Sequence, residues 1–283
     1  MHQPVTSKNV IYFSTYIDNT MDASGQMLQL HYALHTLSKY IDTANFDTIV
    51  FYDGDQTRYE SLCTAFQWVT VRRFKFDSAR FMHHYAFHKW SNLLVFSELG
   101  YERILYLDND VIFNADPSYL FDRYADDAIY TVFDKGVELS PESLVFDTNR
   151  DPVIISGHTI DIHDIIGYQG INSGQMLFTK GHILSVAQTL LTDAVTNYAV
   201  IRGRVSDMVY AGLLDTDVVR ITDWVGEQYA GGKVFTDHGI RIAEFDSHDV
   251  KCTLRDISAK STILHYIGRE NAGSVIPNTF KVT

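Results

Sequence analysis

A chain of 283 residues with 46% hydrophobic and 13% aromatic composition has enough apolar surface to fill a sizeable core, which excludes a disordered protein. Its formal charge of −12, with no run of Lys or Arg, excludes a surface built for nucleic-acid phosphates, although a basic pocket could still hold one small anion. The two cysteines, Cys63 and Cys252, stand far apart in no metal-ligand spacing, and the opening MHQPVTSKNV lacks the apolar core of a signal peptide; a cytoplasmic protein with no integral membrane segment is expected.

In chain order, the apolar run Val10 to Phe13 predicts a first strand, with Ser14, Thr15 and Tyr16 as its exit loop. Met27, Leu28, Leu30, Leu34 and Leu37 predict a helix over 26–40, and DTIVFY at 47–52 a second strand. Asp53, Gly54 and Asp55 then form a turn, with Asp55 placed to cap a helix over 56–66. A strand is expected over 68–76 and a helix over 86–99, stopped by Gly100. The stretch 101–113, carrying ILYLDNDVIF, is the strongest strand signal. From Asp134 to Asp164 the pattern is polar and broken by Pro141 and Pro152; order returns with a strand over 170–178 (GINSGQMLF) and a helix over 183–200. Strands alternating with helices predict an α/β fold with a mainly parallel sheet, whose ligands bind at the carboxyl ends of the strands.

Asp108 and Asp110 stand where that strongest strand delivers them. Residues i and i+2 of a strand share a side, so the two carboxylates should converge, repel one another and require a cation. Oxygen ligands suit Mg²⁺ or Mn²⁺, and such an ion can bridge a diphosphate and stabilise the charge that grows as it leaves. Two other Asp-x-Asp triplets, at 53–55 and 215–217, read as a turn and a solvated loop. Only Asp108 and Asp110 have apolar strand on both sides, where a charge is costly unless used.

Beyond this triplet the sequence resembles the glycogenin-like retaining glycosyltransferases, the family 8-like GT-A group that includes glycogenin and bacterial lipopolysaccharide galactosyltransferases. The resemblance rests on His88-Lys89-Trp90, Tyr101-Glu102-Arg103, the strand ending in Asp108-Asn109-Asp110, and Asn114 to Asp122. Further on it is carried by Asn172-Ser173-Gly174 and by His265-Tyr266-Ile267-Gly268, in family order. It implies a GT-A fold and a metal held by Asp108, Asp110 and His265, the nitrogen ligand favouring Mn²⁺ over Mg²⁺. It also implies donor contacts from Arg80, nine residues before Lys89, and from Lys89 itself, Asn109, Asn172, Ser173 and Gly174. Ser14, Thr15 and Tyr16 fall where the family grips the base. Gly268 and Arg269 fall in the closing loop, where Arg269 stands near the position of the family's Lys. Asp207, followed by Met208 where the family has Gln, is the implied acidic residue beside the sugar, and with Lys89 forms the implied catalytic pair. The activity implied is transfer from a UDP-sugar, hexose or pentose, to a glycan or glycoprotein acceptor with retention. One domain over 1–283 is expected, with a nucleotide-sugar half over 1–113 and an acceptor half over 114–283 that includes the stretch 224–235.

Other classes fit less well. STYIDNT after the first strand has no glycine for a dinucleotide turn, no Walker lysine motif exists, and the early Gly-rich basic loop of a nucleotidyltransferase is missing. A glycoside hydrolase needs carboxylates about 5 to 10 Å apart, too far for strand neighbours. An inverting GT-A enzyme and an inactive sugar- or nucleotide-binding protein remain as alternatives.

Overall fold

β1 (Asn9–Tyr16) carries its apolar run through the middle of the protein, buried on both faces. It pairs in parallel with β2 (Asp47–Asp53) on one side and β4 (Arg103–Leu107) on the other, and β3 (Thr70–Arg73) continues the parallel sheet beyond β2. On the far side of β4, β9 (Ile171–Thr179) runs antiparallel to both β4 and β6 (Ile129–Phe133). β10 (Ile242–Glu244) closes that edge, giving seven strands in the order β10-β6-β9-β4-β1-β2-β3. A three-stranded sheet has the order β11-β12-β5, from Val250–Thr253, Ile263–Tyr266 and Val111–Phe113, and β7 (Val153–Ile155) pairs with β8 (His158–Ile160). The structure, a computed structural model, describes residues 7–17, 23–80, 85–133, 153–155, 158–160, 171–210, 227–228, 230–253, 260–266, 275–277 and 280.

Alternation along β1 assigns the helices to two layers. Val10 and Tyr12 face Trp90, Leu93 and Phe96 of α3 (His88–Phe96), together with Ala194 and Tyr198 of α5 (Lys180–Tyr210). Ile11 and Phe13 face Leu30, Ala33 and Leu34 of α1 (Ala23–Leu37) and Leu62 of α2 (Gln56–Ala65). The short α4 (Leu120–Arg123) lies on this second side through Leu120 and Phe121. The expected α/β architecture with helices on both faces is therefore present. Among the described residues, no helix is long and apolar enough to cross a membrane.

Three local expectations change. Ser14, Thr15 and Tyr16 are not a loop: they continue β1 in register with Phe51, Tyr52 and Asp53, because β2 also runs on to Asp53. The strand expected over 68–76 shrinks to Thr70–Arg73; beyond it, the Asp53 carboxylate takes the backbone N–H of Phe76 at 2.8 Å. The single strand expected over 101–113 is two strands in two sheets, β4 and β5, with Asp108 to Asp110 as the crossing between them. By contrast, Asp55 caps α2 as anticipated, its Oδ1 accepting from Arg58 N–H at 2.9 Å.

Candidate active site at the crossing between the two sheets

The crossing is pinned at both ends. Asp108 N–H donates to the Gly174 carbonyl of β9 at 2.7 Å, and the Asp110 carbonyl accepts from Tyr266 N–H of β12 at 3.0 Å. The two acids therefore converge because a bend joins two sheets, not because they alternate along one strand as the sequence suggested. Between them, Asn109 Nδ2 donates to Thr15 Oγ1 at 3.0 Å, which ties the bend to the carboxyl end of β1.

β12 delivers His265 to the same place. Its Nε2 lies 3.0 Å from Asp110 Oδ1, and one ligand atom from each of Asp108, Asp110 and His265 falls within 4.8 Å of the others. Burial works against a charge on His265, but the charges and hydrogen bonds of Asp110 and Cys252 outweigh it and push its pKa well above the usual histidine value. Positive charge is thus favoured here, and a divalent cation can supply it in place of a proton. Tyr106 closes one side, its hydroxyl donating to Asp108 Oδ1. Burial, then the Asp108 charge, raise the Tyr106 phenol well above its ordinary range and keep it a donor.

Gly174 decides whether the cluster can exist. A Cβ at this position would lie 2.4 Å from His265 Cε1, 2.7 Å from Asp108 Oδ2 and 2.9 Å from Asn172 Oδ1. Glycine is therefore required by close approach of the three groups. Two carboxylates and an imidazole nitrogen packed around a bare backbone form a donor set that fits a divalent ion such as Mn²⁺.

Beside the cluster lies a buried polar network centred on Lys89 of α3. Its Nζ donates to Ser173 Oγ at 2.8 Å, pairs with Glu227 Oε1 at 3.1 Å, stands 3.7 Å from Asp108 Oδ1 and lies over the Tyr106 ring. Ser173 Oγ donates to Glu227 Oε1 at 2.6 Å, and Trp90 Nε1 donates to Glu227 Oε2 at 2.8 Å. Ser173 N–H is held by Gln228 Oε1 at 3.1 Å. Residues 227–228 and 230–237 are helical, and Gly231 lets this stretch meet the Trp90 indole, where a Cβ would lie only 2.5 Å away. Glu227 is almost wholly buried, so its charge requires Lys89 and both hydrogen bonds.

The remaining expected residues occupy varied positions. Ser14 Oγ is spent on His88 Nδ1 at 2.6 Å and Asn92 Nδ2 at 2.8 Å, while Tyr16 meets the ring of Phe76 edge-on at 4.9 Å. Asn172 bonds Gly174 N–H through Oδ1 at 2.9 Å and Cys252 Sγ through Nδ2 at 3.2 Å. Arg80 is exposed, its N–H on Asp77 Oδ1, and Asp207 is exposed on α5. Gly268 and Arg269 lie outside the described residues, as does most of 134–164. The sequence places Glu227 and Gln228 only within the acceptor-side stretch 224–235, whereas here they meet Lys89 and Ser173, and it gives Cys252 no role. For the first two a signal existed: Glu227-Gln228 is an acid–Gln pair falling between Asn172-Ser173-Gly174 and His265, the arrangement the resemblance looks for around Asp207.

No known sequence-family profile matches the chain, and no characterised protein matches it by sequence. Its fold does have solved counterparts. A galactosyltransferase, LgtC, solved with donor and acceptor sugar analogues, superposes with TM-score 0.53 at 13% identity over 96% of this chain and 98% of that one. Mouse xyloside xylosyltransferase 1 superposes with TM-score 0.52 at 14% identity over 96% and 99% of the two chains. The glycosyltransferase GlyE of Streptococcus pneumoniae TIGR4 gives 0.52 at 14% identity, covering 92% of this chain and 55% of that one. The chain has the GT-A fold that these glycosyltransferases share.

Proposed function

We propose that this protein is a metal-dependent glycosyltransferase that moves a hexose or pentose from a nucleotide sugar, UDP-linked, to a glycan or glycoprotein acceptor with retention. The observation that carries the reading is the convergence of Asp108, Asp110 and His265 around Gly174 at the carboxyl ends of β1 and β4 in a GT-A sheet. A Mn²⁺ or Mg²⁺ ion held there would supply Lewis-acid stabilisation to the departing diphosphate.

The chain's own residues divide the remaining work. The carboxyl end of β1, with Thr15, Tyr16 and Asn109, borders the space for the nucleoside; Ser14 supports it from behind by fixing His88. Lys89, desolvated and 3.7 Å from Asp108, places a fixed positive charge where phosphate or sugar oxygens would lie, a position in which a preorganised charge is worth most. Ser173, Asn172 and Gly174 form the floor beneath the sugar. We place the acidic role beside the sugar at Glu227 with Gln228, since these touch Lys89 and Ser173, and keep Asp207 as the alternative. Arg80, Gly268 and Arg269 are assigned to the donor's closing side by resemblance, residues 1–113 to the donor half and 114–283 to the acceptor half, and the cytoplasm as the compartment.

The test is a panel of nucleotide sugars assayed for nucleotide release with Mn²⁺, Mg²⁺ or EDTA, using wild type, Asp108→Asn and Asp110→Asn. Turnover of one donor that requires metal and is lost in both variants supports the reading. Equal turnover by the variants in EDTA overturns it. The anomeric coupling of the first-formed product then decides between retention and inversion.

A further inference from the structure

Cys252 pairs in register with His265 across the parallel strands β11 and β12, which places the two side chains on the same face of the small sheet. Its Sγ lies 3.4 Å from His265 Nδ1 and 3.2 Å from Asn172 Nδ2. The Asn172 amide is oriented from its other end, where Oδ1 accepts Gly174 N–H at 2.9 Å, so the group facing the sulfur is the amide nitrogen, which can only donate. The sulfur is therefore approached by one fixed donor and by the imidazole. On the opposite edge of that ring, Nε2 looks into the acidic cluster, 3.0 Å from Asp110 Oδ1.

An imidazole can give a cation only a nitrogen without a proton, and which nitrogen that is depends on what the other one bonds. We propose that Cys252 is a positioning residue for the cation site: its sulfur accepts the Nδ1–H of His265, so that Nε2 is the nitrogen an ion takes in place of a proton, and aims that nitrogen at the site shared with Asp108 and Asp110. Asn172 completes the device by holding the sulfur from the far side. This inference rests on the cation reading above and adds to it a residue that touches neither ion nor substrate. Because β11 is the edge of its sheet and Cys252 is half-buried, substitution there disturbs little packing.

The experiment titrates Mn²⁺ alone into the protein without nucleotide, reading free ion by electron paramagnetic resonance. Cys252→Ala and Cys252→Val, which remove the acceptor at two sizes, should weaken Mn²⁺ binding by about 10-fold or more, the usual consequence of losing the partner of a metal-bound histidine. Cys252→Ser, whose hydroxyl can accept the same proton, should retain most of the affinity. Methylthiolation of Cys252 in the folded Cys63→Ser protein should lower affinity reversibly, restored by reductant, and needs no refolded variant. Wild-type affinity in the two apolar variants, a Ser variant as weak as the Ala one, or no change on methylthiolation would each overturn the proposal. Failure of the wild type itself to bind Mn²⁺ is a separate outcome, and it overturns the cation reading on which this one stands.

Discussion

Replacing Gly174 by alanine adds one methyl group at the most crowded point of the site. Its Cβ would sit 2.4 Å from His265 Cε1 and 2.7 Å from Asp108 Oδ2, where ordinary contacts begin at 3.4 Å, so the ring must retreat by 1.0 Å and the carboxylate by 0.7 Å. Neither is the free end of a flexible side chain. His265 is buried on a strand that bonds the crossing, and Asp108 is held by Tyr106 from one side and Gly174 through its backbone. Overpacking of this kind costs about 1–3 kcal/mol of stability. The effect on function is larger, because a displacement near 1 Å in a positioned constellation costs about 100-fold. Gly174→Ala should therefore fold, melt a few degrees lower, and lose Mn²⁺ affinity and kcat/KM by about 100-fold. Isothermal titration with Mn²⁺ and a thermal melt measure the two consequences separately. Wild-type Mn²⁺ affinity in a folded Gly174→Ala protein would refute the claim that these three side chains share an ion.

Other expectations test the surrounding structure. Lys89→Met strands the buried Glu227 carboxylate, which should cost about 3–5 kcal/mol, while Lys89→Met with Glu227→Leu should recover stability but not turnover; a single variant as stable as wild type contradicts the pairing. Glu227→Gln should lower kcat by about 100-fold, as loss of a preorganised charge does, whereas a loss confined to Asp207→Asn would return the acidic role to α5. Asp55→Ala should destabilise by about 1 kcal/mol at neutral pH through loss of the α2 cap. The backbone hydrogen bond from Arg58 lowers the Asp55 pKa from its usual 3.8. That contribution is present above the unfolded value and lost as pH falls through the folded one, so the gap between variant and wild type in denaturant melts should begin to narrow below about pH 4 and close only below the lowered folded value; a gap that does not narrow as the pH is taken down contradicts the charge-dependent cap.

Much of this was legible in the residues, for identifiable reasons. Strands β1, β2 and β4 are buried on both faces and so write themselves as continuous apolar runs, whereas β9, equally buried, has such a run only over Met176 to Phe178. Asp108 and Asp110 are legible because they end such a strand, whereas His265, inside β12, reads by itself as a core histidine and is singled out only by the resemblance. The geometry that joins the two acids nevertheless differs from alternation along one strand, since the chain changes sheets at Asp108. Local pattern cannot reveal that change, since apolar residues flank the bend whether β5 stays in the large sheet or enters the small one. Ser14 to Tyr16 read as loop because polar residues end an apolar run, but the Ser14 and Thr15 hydroxyls find partners from the strand, Ser14 in His88 and Asn92 and Thr15 in Asn109. The role of Glu227 is not legible, because burial of a carboxylate becomes intelligible only once Lys89, Trp90 and Ser173 are known to surround it, and these come from two other parts of the chain.

Through that dispersion the candidate site draws on both sides of residue 113. The crossing Asp108–Asp110 belongs to the first half, yet β9 lies between β4 and β6 in the main sheet and carries Asn172, Ser173 and Gly174 from the second. His265 and Cys252 come from the small sheet, whose third strand, β5, is the continuation of the crossing itself. A cation bound by Asp108, Asp110 and His265 would thus bridge the large sheet to the small one and join early and late segments of the chain. Binding energy of that kind is also folding energy, since the unfolded chain has no such site. Without the ion, the same convergence places two carboxylates against a histidine pushed to carry charge, a tolerable arrangement but one with unspent repulsion between Asp108 and Asp110. With such an ion the architecture would tie the integrity of the sheet junction to occupation of the site, and Lys89 with Glu227 carries a second, metal-independent tie between the early helix α3 and the late helical residues 227–228 and 230–237.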